Sequence, residues 1–173
     1  RQLTTQAREL GETRFADRAS RYDREAKFPI ENYRDFHDAG LLGICIPSKY
    51  GGHGANLRAY ALTAAEVGRY CGSTALTWNM HVCSCLWSGT MADDLEMDRA
   101  VRERHHETRR VHYRRILDDG AIYSQPFSEG GSAAAGAVAF STTAVRCDGG
   151  WVIRGKKIFA SLSGSADYYG TLC

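Results

Sequence analysis

Along its first half the chain sets apolar side chains at three- and four-residue steps. Leu3, Ala7 and Leu10, then Phe15, Ala19, Tyr22 and Ala26, draw one stripe down a long amphipathic helix. Pro29 predicts the first position of a second helix, where a missing N–H costs nothing. Ile30, Tyr33 and Phe36 or His37 are its expected buried side, and Gly40 is its stop. Leu57, Tyr60, Ala61, Ala64, Val67 and Cys71 predict a third helix ending at Gly72. Ser73 is the expected cap of a fourth, which runs through Leu76, Val82 and Leu86 with little polar interruption, as a central helix does. The highly charged stretch 93–119 predicts one more helix, solvent-facing in large part.

After Gly120 the period changes. Ala121-Ile122-Tyr123 is a short apolar strand candidate, and Phe140 to Cys147 alternates as a strand does. Asp148-Gly149-Gly150 is a hairpin turn signal, with Trp151-Val152-Ile153 returning as the partner. Ile158-Phe159-Ala160 and the segment Asp167 to Cys173 are further strand candidates. The change of period divides the chain into an all-α helical domain, residues 1–119, and a β-rich region, 120–173. The expected fold class is α+β, the second part an incomplete antiparallel barrel-like domain.

Composition narrows the classes. The chain has 173 residues, 43% hydrophobic and 24% charged, enough to bury a core without staples. A formal net charge of +2 argues against nucleic acid as a partner. The six cysteines, Cys45, Cys71, Cys83, Cys85, Cys147 and Cys173, sit in apolar segments without a disulfide framework, which reads as reduced thiols in a cytoplasmic protein. The apolar run Leu41 to Ile46 is far too short to span a bilayer, and no secretory signal pattern is visible.

Several groupings carry candidate chemistry. In Pro47-Ser48-Lys49-Tyr50-Gly51-Gly52-His53-Gly54 three glycines surround a histidine, but the spacing fits neither a P-loop nor a dinucleotide fingerprint, so the pattern reads as a structural turn. Segment 121–132 offers hydroxyls and backbone amides that suit the polar edge of a heterocycle and a pyrophosphate; on pattern alone the small-residue loop at a strand end is the favoured reading. His81-x-Cys83-x-Cys85 holds metal-ligand types, but positions two apart on a helix diverge and no fourth ligand is evident; no metal is expected. The basic run Arg102 to Arg115, with His105, His106 and His112, could meet a phosphate. Glu103 and Glu107 interrupt it as helix-surface ion pairs would.

Taken in order, three of these motifs resemble the acyl-CoA dehydrogenase family, over most of the chain from the second helix onward. Pro-x-x-Tyr-Gly-Gly-x-Gly at 47–54, followed by the helix bearing Glu66, is similar to its N-terminal domain. Ser124-Gln125-Pro126 stands for the family's Thr-Glu-Pro, and Gly131-Ser132-Ala133 for its Gly-Ser-Asp. Gly155-Lys156-Lys157-Ile158-Phe159-Ala160-Ser161 stands for its Gly-x-Lys-x-Trp-Ile-Thr. Gln125 departs by replacing the acid, Ala133 by replacing the aspartate, and Phe127-Ser128-Glu129 by lengthening the loop.

The resemblance implies FAD bound by Ala121, Ile122, Tyr123, Ser124, Ser132, Phe159, Ala160 and Ser161. Tyr123 and Ser124 would lie against the flavin's pyrimidine edge. Phe159 would cover a ring face, Ser161 would point its hydroxyl at the reactive nitrogen, and Ser132 would reach the pyrophosphate and an acyl-CoA thioester substrate. It implies α,β-dehydrogenation, with electrons passed to an electron-transfer acceptor. It further implies an oligomer, and a C-terminal helical domain or partner subunit that supplies the base absent from this chain. Two alternatives stay open. One is a flavin-dependent monooxygenase of the same superfamily, which Gln125 and the altered Gly-Ser-Asp loop keep open. The other is a truncated or split chain acting as a non-catalytic subunit.

Overall fold

The computed structural model describes residues 2–89, 93–130 and 139–173, with side chains left aside for 86–89. The predicted long first helix is present but carries a defect in its middle. Helix α1 (Gln2–Leu10) passes into a π-type turn (Gly11–Phe15) and on into α2 (Ala16–Glu25). The turn has a sequence cause. The apolar stripe jumps five residues from Leu10 to Phe15, and one residue taken up in a wider turn returns Phe15 to the buried face beside Ala7 and Tyr22.

Helix α3 (Ile30–Asp38) starts one residue later than expected, with Pro29 just outside it, and Gly40 at φ +72° stops it. Tyr33 and Phe36 are buried as anticipated. So are Asn32 and Asp35: Asp35 accepts from Arg14 and from Arg18 (2.6 Å), and the Asn32 amide donates to Thr74 Oγ1 at 2.9 Å. Ile30, by contrast, is 36% exposed.

Helix α4 (Leu57–Gly68) is capped by Asn56, whose side chain accepts from the Ala59 N–H at 2.9 Å. It ends four residues before Gly72. The central helix α5 (Gly72–Gly89) then begins one residue ahead of Ser73, which therefore lies inside its first turn and is not its cap. Trp78 is the hub of the core, stacked on Phe36 at 4.9 Å between ring centroids and tilted against Tyr60 at 5.9 Å.

Helix α6 (Arg99–Leu117) is capped by Asp98, which accepts from the Val101 N–H at 2.9 Å. It is less solvent-facing than its composition suggests: Arg109, Tyr113 and Ile116 are buried, with Arg109 paired to Asp93 at 2.8 Å and bonded to the Tyr50 hydroxyl at 3.1 Å.

The β region consists of two separate two-stranded pairings and no closed sheet among the described residues. The expected hairpin is present, β2 (Thr143–Cys147) against β3 (Gly150–Arg154), antiparallel, with Val145 opposite Val152. Both of its faces are exposed. Strand β1 (Tyr123–Ser124) runs parallel to β4 (Tyr168–Tyr169), so the second pairing is not antiparallel. A mixed helix-and-sheet fold is thus observed, while the barrel-like closure is not. The strand expected at Ile158-Phe159-Ala160 is absent. Phe159 has φ +55°, a left-handed conformation that no strand tolerates, and the Ile158 N–H is tied to the Ser128 carbonyl at 2.7 Å instead of to a neighbouring strand. No helix among the described residues is long and apolar enough to cross a membrane.

Candidate functional site

The approach to the site begins in the core. Ala121, Ile122, Tyr123 and Ser124 are all buried, so this run is apolar because it lies on α5. His81 on α5 receives it: His81 Nδ1 accepts the Tyr123 N–H at 3.0 Å, while Nε2 donates to the Leu42 carbonyl at 3.2 Å. An amide can only donate and a carbonyl can only accept, so these partners select the neutral Nε2–H tautomer. Burial pushes the His81 pKa down to about 4. From the other side, Asp167 accepts the Ile122 N–H at 2.8 Å, and the Tyr123 and Tyr168 rings stack at 5.0 Å across the parallel pair. The Tyr123 hydroxyl is hydrogen-bonded to His112 Nδ1 at 2.9 Å.

These contacts decide what each candidate residue can present. The side chains of Tyr123 and Ser124 are spent inside the protein, and so are the N–H groups of Ala121, Ile122 and Tyr123, which donate to the Arg115 carbonyl, Asp167 and His81. The Ser124 hydroxyl donates to the carbonyl of Ser161 at 2.6 Å, across 37 residues of sequence. That bond brings the two expected flavin motifs, 121–124 and 159–161, into direct contact. Beside it, Phe159 is 87% exposed, the most exposed of the described large apolar side chains, although it sits on a left-handed backbone. Its ring is thus bare at the surface, on a left-handed backbone two residues before the Ser161 carbonyl that β1 binds. Ala160 and Ser161, which follow Phe159, are partly buried. Ser132, the expected pyrophosphate contact, lies outside the described residues.

A second cluster, absent from the sequence-level expectations, stands behind this one. The Glu129 carboxylate accepts from five donor groups: the N–H of Ser141 (2.6 Å) and of Thr142 (2.9 Å), both their hydroxyls, and Lys157 Nζ (2.8 Å). The Lys157 ammonium, followed by the Ser141 and Thr142 donors, holds this carboxyl far below the usual carboxylate range. The signal available in sequence was an acid within an otherwise small-residue loop, four places after the family's usual acid. His81 could have been found only by asking what a buried helical histidine bonds.

The remaining motifs are structural here. In the 47–54 turn the Gly54 N–H returns to the Ile46 carbonyl at 2.8 Å, and a side chain at Gly52 would meet that same carbonyl oxygen at 2.1 Å. Glu66 ties α1 to α4 through Arg8 (2.9 Å) and also holds Arg69 (3.2 Å). His81, Cys83 and Cys85 make no ligand set; among the described residues no group of three or more histidine, cysteine or acidic side chains could hold a metal.

Residues 1–92 match the family model described as the acyl-CoA dehydrogenase N-terminal domain. Among curated relatives, the chain is 26% identical over 162 residues to the short-chain-specific acyl-CoA dehydrogenase of Clostridium acetobutylicum, covering 94% of this chain and 40% of that protein. The chain thus spans about two fifths of the length of the curated relatives it matches nearly end to end. Two solved structures share its fold. Butyryl-CoA dehydrogenase from Megasphaera elsdenii superposes with a TM-score of 0.75 at 22% identity, over 98% of this chain and 42% of that one. The FMN-bound form of TdsC, a dibenzothiophene monooxygenase from Paenibacillus sp. A11-2, superposes with a TM-score of 0.76 at 20% identity, over 99% and 39%.

Proposed function

This chain belongs to the acyl-CoA dehydrogenase family, and from that premise we propose that the polypeptide carrying it is an FAD-dependent oxidoreductase acting on acyl-CoA thioesters. Residues 1–119 serve as its N-terminal helical domain, and 120–173 open its flavin-binding β domain. The single observation that carries the reading is the Ser124–Ser161 hydrogen bond, which ties the segment bearing the exposed Phe159 ring to β1.

Bound FAD would supply the acceptor for the hydride that leaves the thioester's β-carbon. The chain's own residues do the positioning. Phe159 covers a face of the flavin ring, the backbone at Ala121 to Ser124 borders its polar edge, and Ala160 and Ser161 complete the wall, with the Ser161 hydroxyl as a donor. Ser132 serves the pyrophosphate and the thioester. His81 and Asp167 fix the strand in place by accepting the Tyr123 and Ile122 N–H groups.

The carboxylates beside this site are unsuited to removing an α-proton. Glu129 is saturated by five donors and held ionised far below the range of a useful base, and Asp167 is committed to the Ile122 N–H. In this reading the base, and the helical domain and oligomer contacts that complete the site, are supplied by parts of the polypeptide or assembly other than these residues. Electrons leave to a separate acceptor.

The test is anaerobic titration of the FAD-loaded polypeptide with acyl-CoA thioesters of graded chain length. Bleaching of the oxidised flavin by at least one thioester is expected. Absence of bleaching by all of them, with oxygen consumed once a reductase supplies reduced flavin, would replace this reading with the monooxygenase one that Gln125, in place of the family acid, favours.

A further inference from the structure

We infer that Glu129 is the positioning residue of the flavin wall: its carboxylate clamps the 155–161 segment to the start of the hairpin and thereby fixes the backbone that carries the exposed Phe159 ring and the Ser161 carbonyl bound by Ser124. This rests on the flavin reading above.

Three stretches far apart in sequence meet on this one side chain. Ser141 and Thr142, just before β2, donate to it through backbone and hydroxyl alike, and Lys157, just after β3, donates to the same carboxylate oxygen as Thr142. The carboxylate's own stretch is bound to the same partners a second time. The Phe127 carbonyl accepts from Lys157 Nζ at 3.3 Å, the Ser128 carbonyl accepts from the Ile158 N–H at 2.7 Å, and the Phe127 ring packs edge-on against Phe140 at 5.2 Å. Lys157 Nζ also lies 4.2 Å from the Phe140 ring centroid.

The hairpin itself is exposed on both faces, so burial does not hold its two ends in place; this polar knot does. Phe159 is two residues beyond Lys157 and one beyond Ile158. Its unusual φ persists because the residues before it are pinned to 127–129 and Ser161 is pinned to Ser124. The loop that lengthens the family pattern thus carries an acid that does structural work for the site. The family's own acid position is held by the neutral Gln125. Glu129 touches no reacting atom; it acts through Lys157 and Ile158.

Wild type, Glu129→Gln and Glu129→Asp forms of the polypeptide are compared by FAD titration and by hydrogen exchange of the Ile158 amide. Glu129→Gln loses one charge and is expected to weaken FAD binding by about ten-fold or more, since charge-assisted hydrogen bonds are the strong ones. Its Ile158 amide should exchange correspondingly faster, while amides of the α5 core stay protected. Glu129→Asp keeps the charge on a shorter arm and should recover part of both losses, which a merely structural truncation would not. Wild-type FAD affinity and Ile158 protection retained in Glu129→Gln would overturn the positioning role alone. No FAD binding by wild type would overturn the flavin reading and the inference with it. If Glu129→Gln does not fold, the Glu129→Asp form decides: reduced FAD affinity with faster Ile158 exchange supports the clamp, and values equal to wild type overturn it.

Discussion

Protonating His81 is expected to cost the fold more than any other single titration between pH 6.5 and 4.5. The imidazole is fully buried, and each nitrogen has a partner that admits one protonation state only. A proton added at Nδ1 would confront the Tyr123 N–H, break the bond that seats β1 on α5, and leave a charge in the core. Burial therefore pushes the pKa from 6.5 down to about 4. The unfolded chain keeps the ordinary value, so it binds the proton first as the pH falls. Stability is full above pH 6.5 and declines through the window to about 4. At about 1.4 kcal/mol per pH unit, the total is about 3 kcal/mol.

His106 and His112, both lowered by burial, act with the same sign. Carboxylates held low in the folded state, such as Glu31 and Glu129, withdraw their contribution only below the ordinary carboxylate value of 4.5. Urea denaturation at several pH values from 7.5 to 4.5 thus isolates the histidines. Wild type should lose about 1 kcal/mol or more per pH unit near pH 5. His81→Gln, which cannot ionise, should start less stable but show a shallower slope by about that amount. An unchanged slope in the variant would refute the assignment of His81 as the buried neutral anchor of β1.

Other outcomes follow from the same structure. Trp78→Ala should destabilise by about 3–5 kcal/mol in chemical denaturation, because it empties the space between Phe36 and Tyr60 at the centre of the core. Gly52→Ala should cost about 1–3 kcal/mol, since the new methyl would lie on the Ile46 carbonyl, which is backbone and cannot swing away; a melting temperature equal to wild type would contradict this. Phe159→Gly should leave stability unchanged or raise it by about 1 kcal/mol, as it removes an exposed ring from a left-handed residue; a loss of stability would show that the ring packs within the chain.

How much of this was legible in sequence differs between the two parts of the chain. In the helical part, periodicity placed the helices up to α5, because Phe15, Tyr33, Val67 and Val82 must all face one core, while α6 was expected from the charged stretch 93–119. The π-type turn was implicit in the five-residue step to Phe15, but the stripe reads as continuous unless that step is counted. Ser73 misled because a serine before an apolar run is the usual cap pattern, whereas here the helix starts at Gly72. Buried polar partners were invisible for a different reason: Asn32 and Thr74 are 42 residues apart, and no local pattern encodes a long-range hydrogen bond.

The β part was harder. A hairpin with Asp-Gly-Gly at its turn is a local object and was readable. The parallel pairing of β1 with β4, and the left-handed bend at Phe159, depend on Asp167, Ser161 and Glu129 reaching across the fold. Ile158-Phe159-Ala160 has the composition of a strand, and composition carries no information about φ. The candidate flavin residues were gathered by resemblance. The structure adds that Tyr123 and Ser124 turn their side chains inward while Phe159 turns outward.

The flavin wall is tested most directly by titrating FAD against wild type and Phe159→Ala and following the quenching of flavin fluorescence. Wild type should bind, and removal of the ring should weaken binding by about ten-fold with folding intact. Equal affinity of the two proteins, or no binding by either, would contradict the placement of the flavin on this face.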